Sequence, residues 1–459
     1  MNIRLYNALI LTMEENRPVF RGEILIRDEK ILAVIEERSG CEDTGAREAQ
    51  ISCKDDVIWD VQIDCKGNLL MPGFKNAHTH SGMTFLRSMA DDLPLQEWLN
   101  DRVFPLEAKL TPEDIYHLSG LAILEYLTSG VTSIFDMYLD NDATAQACMD
   151  MGMRCVLASG LNDFTSSIEK MEMDYVKWNL AKDGKVDSTI NQITEHPRRS
   201  LITYRLAFHA EYTCSKELLS QVAALARRYQ APVYTHMAET IREVENCKHK
   251  YGMTPAVFLE SLGMFEYGGG GYHCVHMSEE DMEVFSRHGM YVITNPGSNT
   301  KLASGIAPIA EYVRRKIPVA IGTDGPASNN CLDMFREMFL VTGLSKLKEQ
   351  DASSMDASKV LEMATVNGAK AMGLGTSDVL AVGKKADIIM IDLHQPNMQP
   401  IHNIPKNLVY SGSKSNVCMT MIGGKILYQN GEFYVGESPE RIYAECNQIV
   451  KRMLNNITL

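Results

Sequence analysis

No stretch of the sequence approaches the roughly 20 uncharged apolar residues of a bilayer-crossing helix, so no membrane partner is expected. The opening residues, MNIRLYNALILTMEENRP, lack the basic leader, apolar run and small-residue cleavage site of a secretory signal. The eleven cysteines include no CxxC pair, and an odd count in a long chain reads as reduced thiols. A cytoplasmic protein is the expectation. Positive charge is scarce too: 45 lysines and arginines against 59 acidic residues give a net charge of −14. That balance argues against nucleic acid as a partner, because phosphate binding needs a positive field. A small neutral or cationic ligand is left open. Solenoid repeats and low-complexity tracts are missing as well. Cys41, Cys53 and Cys65 are evenly spaced, which reads as coincidence in a strand-rich region rather than a metal site.

What is present is a chain of 459 residues, 45% apolar, long enough for a large barrel plus an accessory unit. Residues 1–69 read as short strands and turns, in LYNALILT, EILIRDEKILAVIE and VIWDVQIDCKGNLL. The same texture returns over 376–459, in KKADIIMIDL, VCMTMIGGKIL and the hairpin-like YQNGEF with Asn430-Gly431 at its turn. From about Ser438 the pattern is helical and amphipathic. Two strand-rich ends predict one small β-sandwich domain built from both termini.

Over residues 70–375 eight short apolar runs alternate with helix-length segments. They are LLMPGFKNAH, VTSIFD, MRCVLASG, YRLAFHA, PVYTHM, GYHCVH, YVITNP and PVAIGTDG. Eight strand–helix alternations are the arithmetic of a (β/α)8 TIM barrel, an α/β fold whose chemistry gathers where the strands end. The residues closing the runs are His78, Asp136, Ser159, His209, His236, His273 or His276, Asn295 and Asp324.

In NAHTH, side chains two apart on a strand face the same way, so His78 and His80 can point at one ion. His236 in HMAE can complete a three-imidazole face. Glu239, three residues on, is placed for general acid–base work beside a metal without binding it. Asp324 in GTDG, flanked by small residues, can bind the ion and take a proton from its water, although an aspartate there also suits a helix cap. His273 and His276 are three apart, so only one of them faces the barrel mouth. Cys274 between them points away from His273. Three histidines and an aspartate with room for water describe an open catalytic zinc or ferrous site, not a closed structural one.

The sequence resembles the amidohydrolase superfamily, and within it the deaminase branch of adenosine-derivative, guanine and cytosine deaminases and triazine chlorohydrolases. The matching segments are MPGFKNAHTHSGMTFLR, LQEWLNDRVFPLE, GVTSIFDMY, HAEYTCS, APVYTHMAET, HCVHM, NPGSNTKLASGIAPI and IGTDGPASNN, with GKKADIIMID and MIGGKILYQNG in the flanking domain. The resemblance implies one divalent ion, zinc or iron, held by His78, His80, His236 and Asp324. The fourth run has no lysine to bridge a second metal. It further implies attack of metal-bound hydroxide on an amino-bearing ring carbon, with Asp324 accepting the water proton. Glu239 then protonates a ring nitrogen, His273 positions the attacking oxygen, and ammonia leaves. A homo-oligomer is the habit of the family.

For substrate contacts the resemblance points to Glu97, before Trp98, as a binder of ribose hydroxyls and to His209 as a pocket residue; Trp98, Ser159 and Asn295 complete the expected set. Members acting on adenosylhomocysteine place an arginine at the end of the third strand, where this chain has Ser159. That substitution disfavours adenosylhomocysteine, whose carboxylate loses a bidentate partner. The long charged segment 163–200 is expected to reshape the pocket's lid. Triazine-, pterin- or guanine-type hydrolysis at the same metal centre is the alternative.

Overall fold

The computed structural model describes residues 1–37, 58–89, 91–93, 97–180 and 195–454. Cys41, Cys53 and residues 181–194 of the long segment lie outside them. The chain begins with β1 (Asn2–Ile10), β2 (Phe20–Arg27), β3 (Lys30–Glu36), β4 (Val61–Asp64) and β5 (Leu69–Pro72). Eight strands follow: β6 (Phe74–Thr79), β7 (Val131–Tyr138), β8 (Arg154–Ser159), β9 (Ile202–Ala207), β10 (Val233–Met237), β11 (Gly269–His273), β12 (Tyr291–Thr294) and β13 (Val319–Ile321). The chain then returns in β14 (Ile388–Ile391), β15 (Val417–Ile422), β16 (Lys425–Gln429) and β17 (Glu432–Phe433), and the helix Pro439–Leu454 follows.

Strands β6 to β13 form one parallel eight-stranded sheet in chain order, the barrel expected from the eight runs. Side chains alternate between two apolar layers. Ala77, Phe135, Val156, Ala158, Ala207, Tyr234, Tyr272, Ile293 and Ala320 cluster inside the barrel, whereas Ile134, Cys155, Leu157 and Leu206 join the outer core under the helices. That two-sided burial is why the strands read as nearly continuous apolar runs. The first and last strands meet through side chains as well as backbone. The Asn76 amide donates to Thr323 Oγ1 at 2.7 Å and accepts from the Thr323 N–H at 2.9 Å, and the Asp324 N–H reaches the His78 carbonyl at 3.0 Å.

The first run is divided differently from its sequence reading. LLMP is β5, paired with β1 and β14 in the terminal sheet. The barrel strand starts only at Phe74, because Pro72-Gly73 breaks an otherwise uniform apolar stretch. The terminal strands make one nine-stranded sheet, ordered β17-β16-β15-β14-β5-β1-β2-β3 with β4 on β1. Its two halves share a single apolar core, including Ile3, Ile24, Ile388 and Met421. Backbone bonds from Ile31 to Lys384 and from Ala386 to Glu29 tie the β2–β3 turn back to the segment before β14. The sandwich is thus one sheet curled on itself. No helix among the described residues is long and apolar enough to cross a membrane, and every described cysteine is free.

A buried ionic knot joins barrel and sheet. Arg154, at the start of β8, gives Asp387 two parallel hydrogen bonds of 2.7 and 2.9 Å, and the Gly423 N–H adds a third at 2.7 Å. Lys75 lies wholly buried nearby, its ammonium donating to the Gly73 carbonyl at 2.9 Å and Thr132 Oγ1 at 2.8 Å. Burial pulls its pKa down to about 8, against the pull of Asp387. Between that value and the ordinary lysine range the unfolded chain binds the extra proton, so stability rises with pH there. Lys75→Met removes the buried cation but leaves the Gly73 carbonyl and Thr132 Oγ1 without that donor, so it is expected to cost about 1–3 kcal/mol at pH 7. Melting curves check it; a higher Tm for the variant at pH 7 contradicts it.

Candidate metal centre

The site sits at the carboxyl ends of the barrel strands, and the backbone there is unusual. Ala238, His273, Cys274 and Asp324, none of them glycine, have φ of 47°, 68°, 49° and 60°. Left-handed conformations cost non-glycine residues about 1–3 kcal/mol each and persist where the surroundings fix them. Pairing between β6 and β7 also slips by a residue between Asn76 and Thr79. His78 and His80 therefore converge across a local bulge, not along the regular strand that their spacing suggested.

His78, His236, His273 and Asp324 bring ligand atoms within 4.8 Å of one another, all buried. His80 adjoins them, with Nε2 3.1 Å from Asp324 Oδ1; His78 Nε2 lies 3.5 Å from the same oxygen. The imidazoles are oriented from behind. His236 Nδ1 donates to the His209 carbonyl at 2.7 Å, His80 Nδ1 to the Met137 carbonyl, and His273 Nδ1 to Asn299 Oδ1 at 2.7 Å. Each such bond occupies Nδ1 and turns Nε2 to the centre. His78 stacks on Tyr272 beneath it, centroids 3.7 Å apart. Both of its ring nitrogens are buried with no hydrogen-bond partner, an expensive state unless a ligand meets them. The donor set fits one divalent ion.

The two acidic groups are held differently. Asp324 Oδ2 accepts from the hydroxyls of Ser298 at 2.6 Å and Ser328 at 2.7 Å, which leaves Oδ1 to the histidines. Burial alone would raise its pKa, but the neighbouring His78 and His80 imidazoles outweigh that and hold it well below the carboxylate range. Glu239 is pushed the other way, upward, by burial; among the described residues its carboxyl accepts one hydrogen bond, from Ser304 Oγ at 3.2 Å. His273 Nε2 stands between them, 3.9 Å from Glu239 Oε2 and 3.9 Å from Asp324 Oδ2. Among the histidines, burial drives His78 down to about 3 and His209 to about 4. His80 is raised to about 9, because its bond to Asp324 overcomes burial.

A scan against protein-family models matches the amidohydrolase family over residues 69–427. The chain belongs to the amidohydrolase family. A relative of this amidohydrolase, the 5-methylthioadenosine/S-adenosylhomocysteine deaminase of Pelotomaculum thermopropionicum, is 37% identical, covering 99% of both chains. Among solved structures it is similar to an adenosine deaminase from Xanthomonas campestris with bound zinc (TM-score 0.86, 29% identity, 99% and 98% of the two chains). It also shares the fold of the zinc complex of atrazine chlorohydrolase from Arthrobacter aurescens (TM-score 0.82, 22% identity, 98% and 100% of the chains). Together these make the amidohydrolase a hydrolase of carbon–nitrogen bonds in cyclic amidines, working at a single divalent metal site.

The remaining sequence-derived residues fall in varied places. His209 follows β9, its ring 4.9 Å from that of His236 and its Nδ1 3.1 Å from Thr213 Oγ1. Asn295 closes β12, fully buried, with both amide atoms unpartnered. Trp98 is buried with its Nε1 unpartnered, while Glu97 before it is exposed. Ser159 lies beside Tyr204, on the strand face that alternates with the barrel-lining Val156 and Ala158. His276 turns away, donating to the Ser304 carbonyl at 2.7 Å, so of that pair His273 faces the centre. Sequence reading missed Ser298, Asn299 and Ser328, which steady the ligands. Their signal was present as small polar clusters directly after the seventh and eighth strands, in NPGSNT and DGPASNN.

Proposed function

We propose that this amidohydrolase is a hydrolytic deaminase of an amino-substituted N-heterocycle, an adenosine derivative such as methylthioadenosine or adenosine. Its ion, zinc by analogy with both zinc-bound neighbours, would be held by His78, His80, His236 and Asp324. The observation that carries the reading is the pair of carboxyls flanking His273, Asp324 bound by two serine hydroxyls beside the histidines and Glu239 buried with only Ser304 on its carboxyl among the described residues. Environments that split two carboxyls this way set out an acid and a base. A divalent ion in this donor set supplies activated water near neutral pH. Asp324, ionised and aimed by two serines, takes up the water's proton. Glu239, its pKa pushed up by burial, gives a proton to a ring nitrogen, which makes the amino-bearing carbon electrophilic. His273 holds the attacking oxygen between them. Asp324 hands the water's proton on to the amino group, ammonia leaves as the carbonyl forms, and the oxygen's remaining proton returns to Glu239.

On the substrate side, His209, Trp98 and Asn295 are the pocket residues proposed from the site, and Glu97 the contact for a ribose hydroxyl. Ser159 supplies no cation for an amino-acid carboxylate. An ammonia-release screen over methylthioadenosine, adenosine, adenosylhomocysteine, guanine, pterins and aminotriazines tests the reading. Methylthioadenosine is expected to exceed adenosylhomocysteine in kcat/KM by about 10–150-fold, the worth of one charge-assisted pair at about 1.5–3 kcal/mol. Equal activity on the two contradicts the reading of Ser159, and activity confined to guanine or the triazines contradicts the adenosine class.

A further inference from the structure

Behind the metal centre lies a pair of buried glutamates that the chemistry above does not use. Glu243 sits in the first turn of the helix Ile241–Tyr251, whose N-cap is Thr240. In an ordinary capping box a carboxylate at this position returns to the N–H of the cap residue. Here it reaches further back: the Ala238 N–H donates to Glu243 Oε1 at 2.5 Å and the Glu239 N–H to Oε2 at 2.8 Å. The Ala238 carbonyl is pinned on the opposite side by the N–H groups of Val275 at 3.0 Å and His276 at 2.9 Å. Ala238 is the residue with φ of 47°, so this grip fixes a left-handed turn immediately before Glu239. Glu211 lies against Glu243, 2% exposed. The described groups facing the pair are Glu239, Tyr212, Cys247 and Cys274, none of them a cation. Two carboxyls buried together without a cation hold one proton between them. The N–H groups bias where it goes: Glu243 accepts two of them and is raised by burial only to about 7, so the proton is favoured on Glu211. Burial, followed by the neighbouring Glu243, pushes Glu211 well above the carboxylate range.

We propose that Glu243 is a positioning residue: its carboxyl group, gripping the Ala238 and Glu239 N–H groups, fixes the Ala238–Glu239 turn and so aims Glu239 at its proton acceptor. The inference rests on Glu239 being the proton donor. The two glutamates then respond oppositely to the same isosteric change. Glu243→Gln can accept only one of the two N–H bonds and turns an amide toward the other. Glu211→Gln keeps a donor pointed at Glu243.

The test uses the full-length, metal-loaded enzyme. Glu243→Gln is expected to lower kcat about 10–100-fold, the scale of a roughly 1 Å misplacement, with KM and metal content little changed. Glu211→Gln is expected to stay within about threefold of the parent, since its amide still offers Glu243 an N–H and the two bonds from Ala238 and Glu239 are untouched. Amide hydrogen exchange at Ala238 and Glu239 gives a readout free of turnover: it should quicken about tenfold or more in Glu243→Gln, losing the worth of a charge-assisted bond, and hold steady in Glu211→Gln. Equal losses in both variants, a joint fall of kcat, metal content and Tm in Glu243→Gln, or unchanged exchange at the two amides would overturn the proposal. Should Glu239→Gln prove fully active, the deaminase chemistry fails while the exchange measurement still decides whether Glu243 holds the turn.

Discussion

Glu239→Gln is expected to keep a full complement of metal and lose about 10²–10⁴-fold in turnover, the span that general acid–base groups supply. The geometry predicts this separation of effects. Glu239 Oε2 is 3.9 Å from His273 Nε2, and Glu239 is not among the residues whose ligand atoms gather at the centre. An amide preserves the shape of the side chain and its bond from Ser304, yet has no proton to deliver to a ring nitrogen. Burial already holds the wild-type carboxyl toward its neutral form, so the variant alters little of the site's charge. Metal analysis alongside ammonia release checks both halves. Near-normal turnover would remove Glu239 from the chemistry, and loss of metal would make it a ligand.

Asp324→Asn should damage metal retention and rate together, for separate reasons. Oδ2 receives hydroxyls from Ser298 and Ser328 while Oδ1 faces His78 and His80. An amide can keep its oxygen toward the serines only by presenting its NH2 to the cation side. Metal affinity is expected to fall more than about 10²-fold, beyond the loss usual for a group that merely orients a ligand. Excess zinc should refill the site without restoring turnover, because the proton acceptor is gone; about 10³-fold of the rate should be missing even then. Recovery of the parent rate on adding zinc would show that Asp324 is a ligand and nothing more. Stoichiometric metal after gel filtration would exclude it as a ligand.

The barrel was legible because each strand is buried on both faces and ends in a polar residue, so VTSIFD and PVYTHM announce both their length and their active end. His78, His236 and Asp324 followed from that placement alone. The choice of His273 over His276 did not: spacing says that one of them faces inward, and it is the left-handed backbone at His273 and Cys274 that decides which. The division of LLMPGFKNAH between two sheets was hidden for a related reason, since both halves are apolar and fully buried. Glu243 is a glutamate that nothing in the sequence pattern sets apart. Only the turn of chain at Ala238 shows that its partners lie upstream.

The curled terminal sheet also sets an order of events during synthesis. β5 leaves the ribosome roughly 300 residues before β14, with which it pairs. At translation rates of about 5–20 residues per second that is a wait of roughly 15–60 s. Throughout it, the newly made β1 and β5 present apolar faces and an open edge, the template on which strands from other chains add. The barrel is made inside that interval, and Asp387, which receives Arg154, emerges one residue ahead of β14. Completion of the terminal sheet is thus a late, timed event, and the yield of folded enzyme should depend on how well the first seventy residues are shielded until the last seventy arrive.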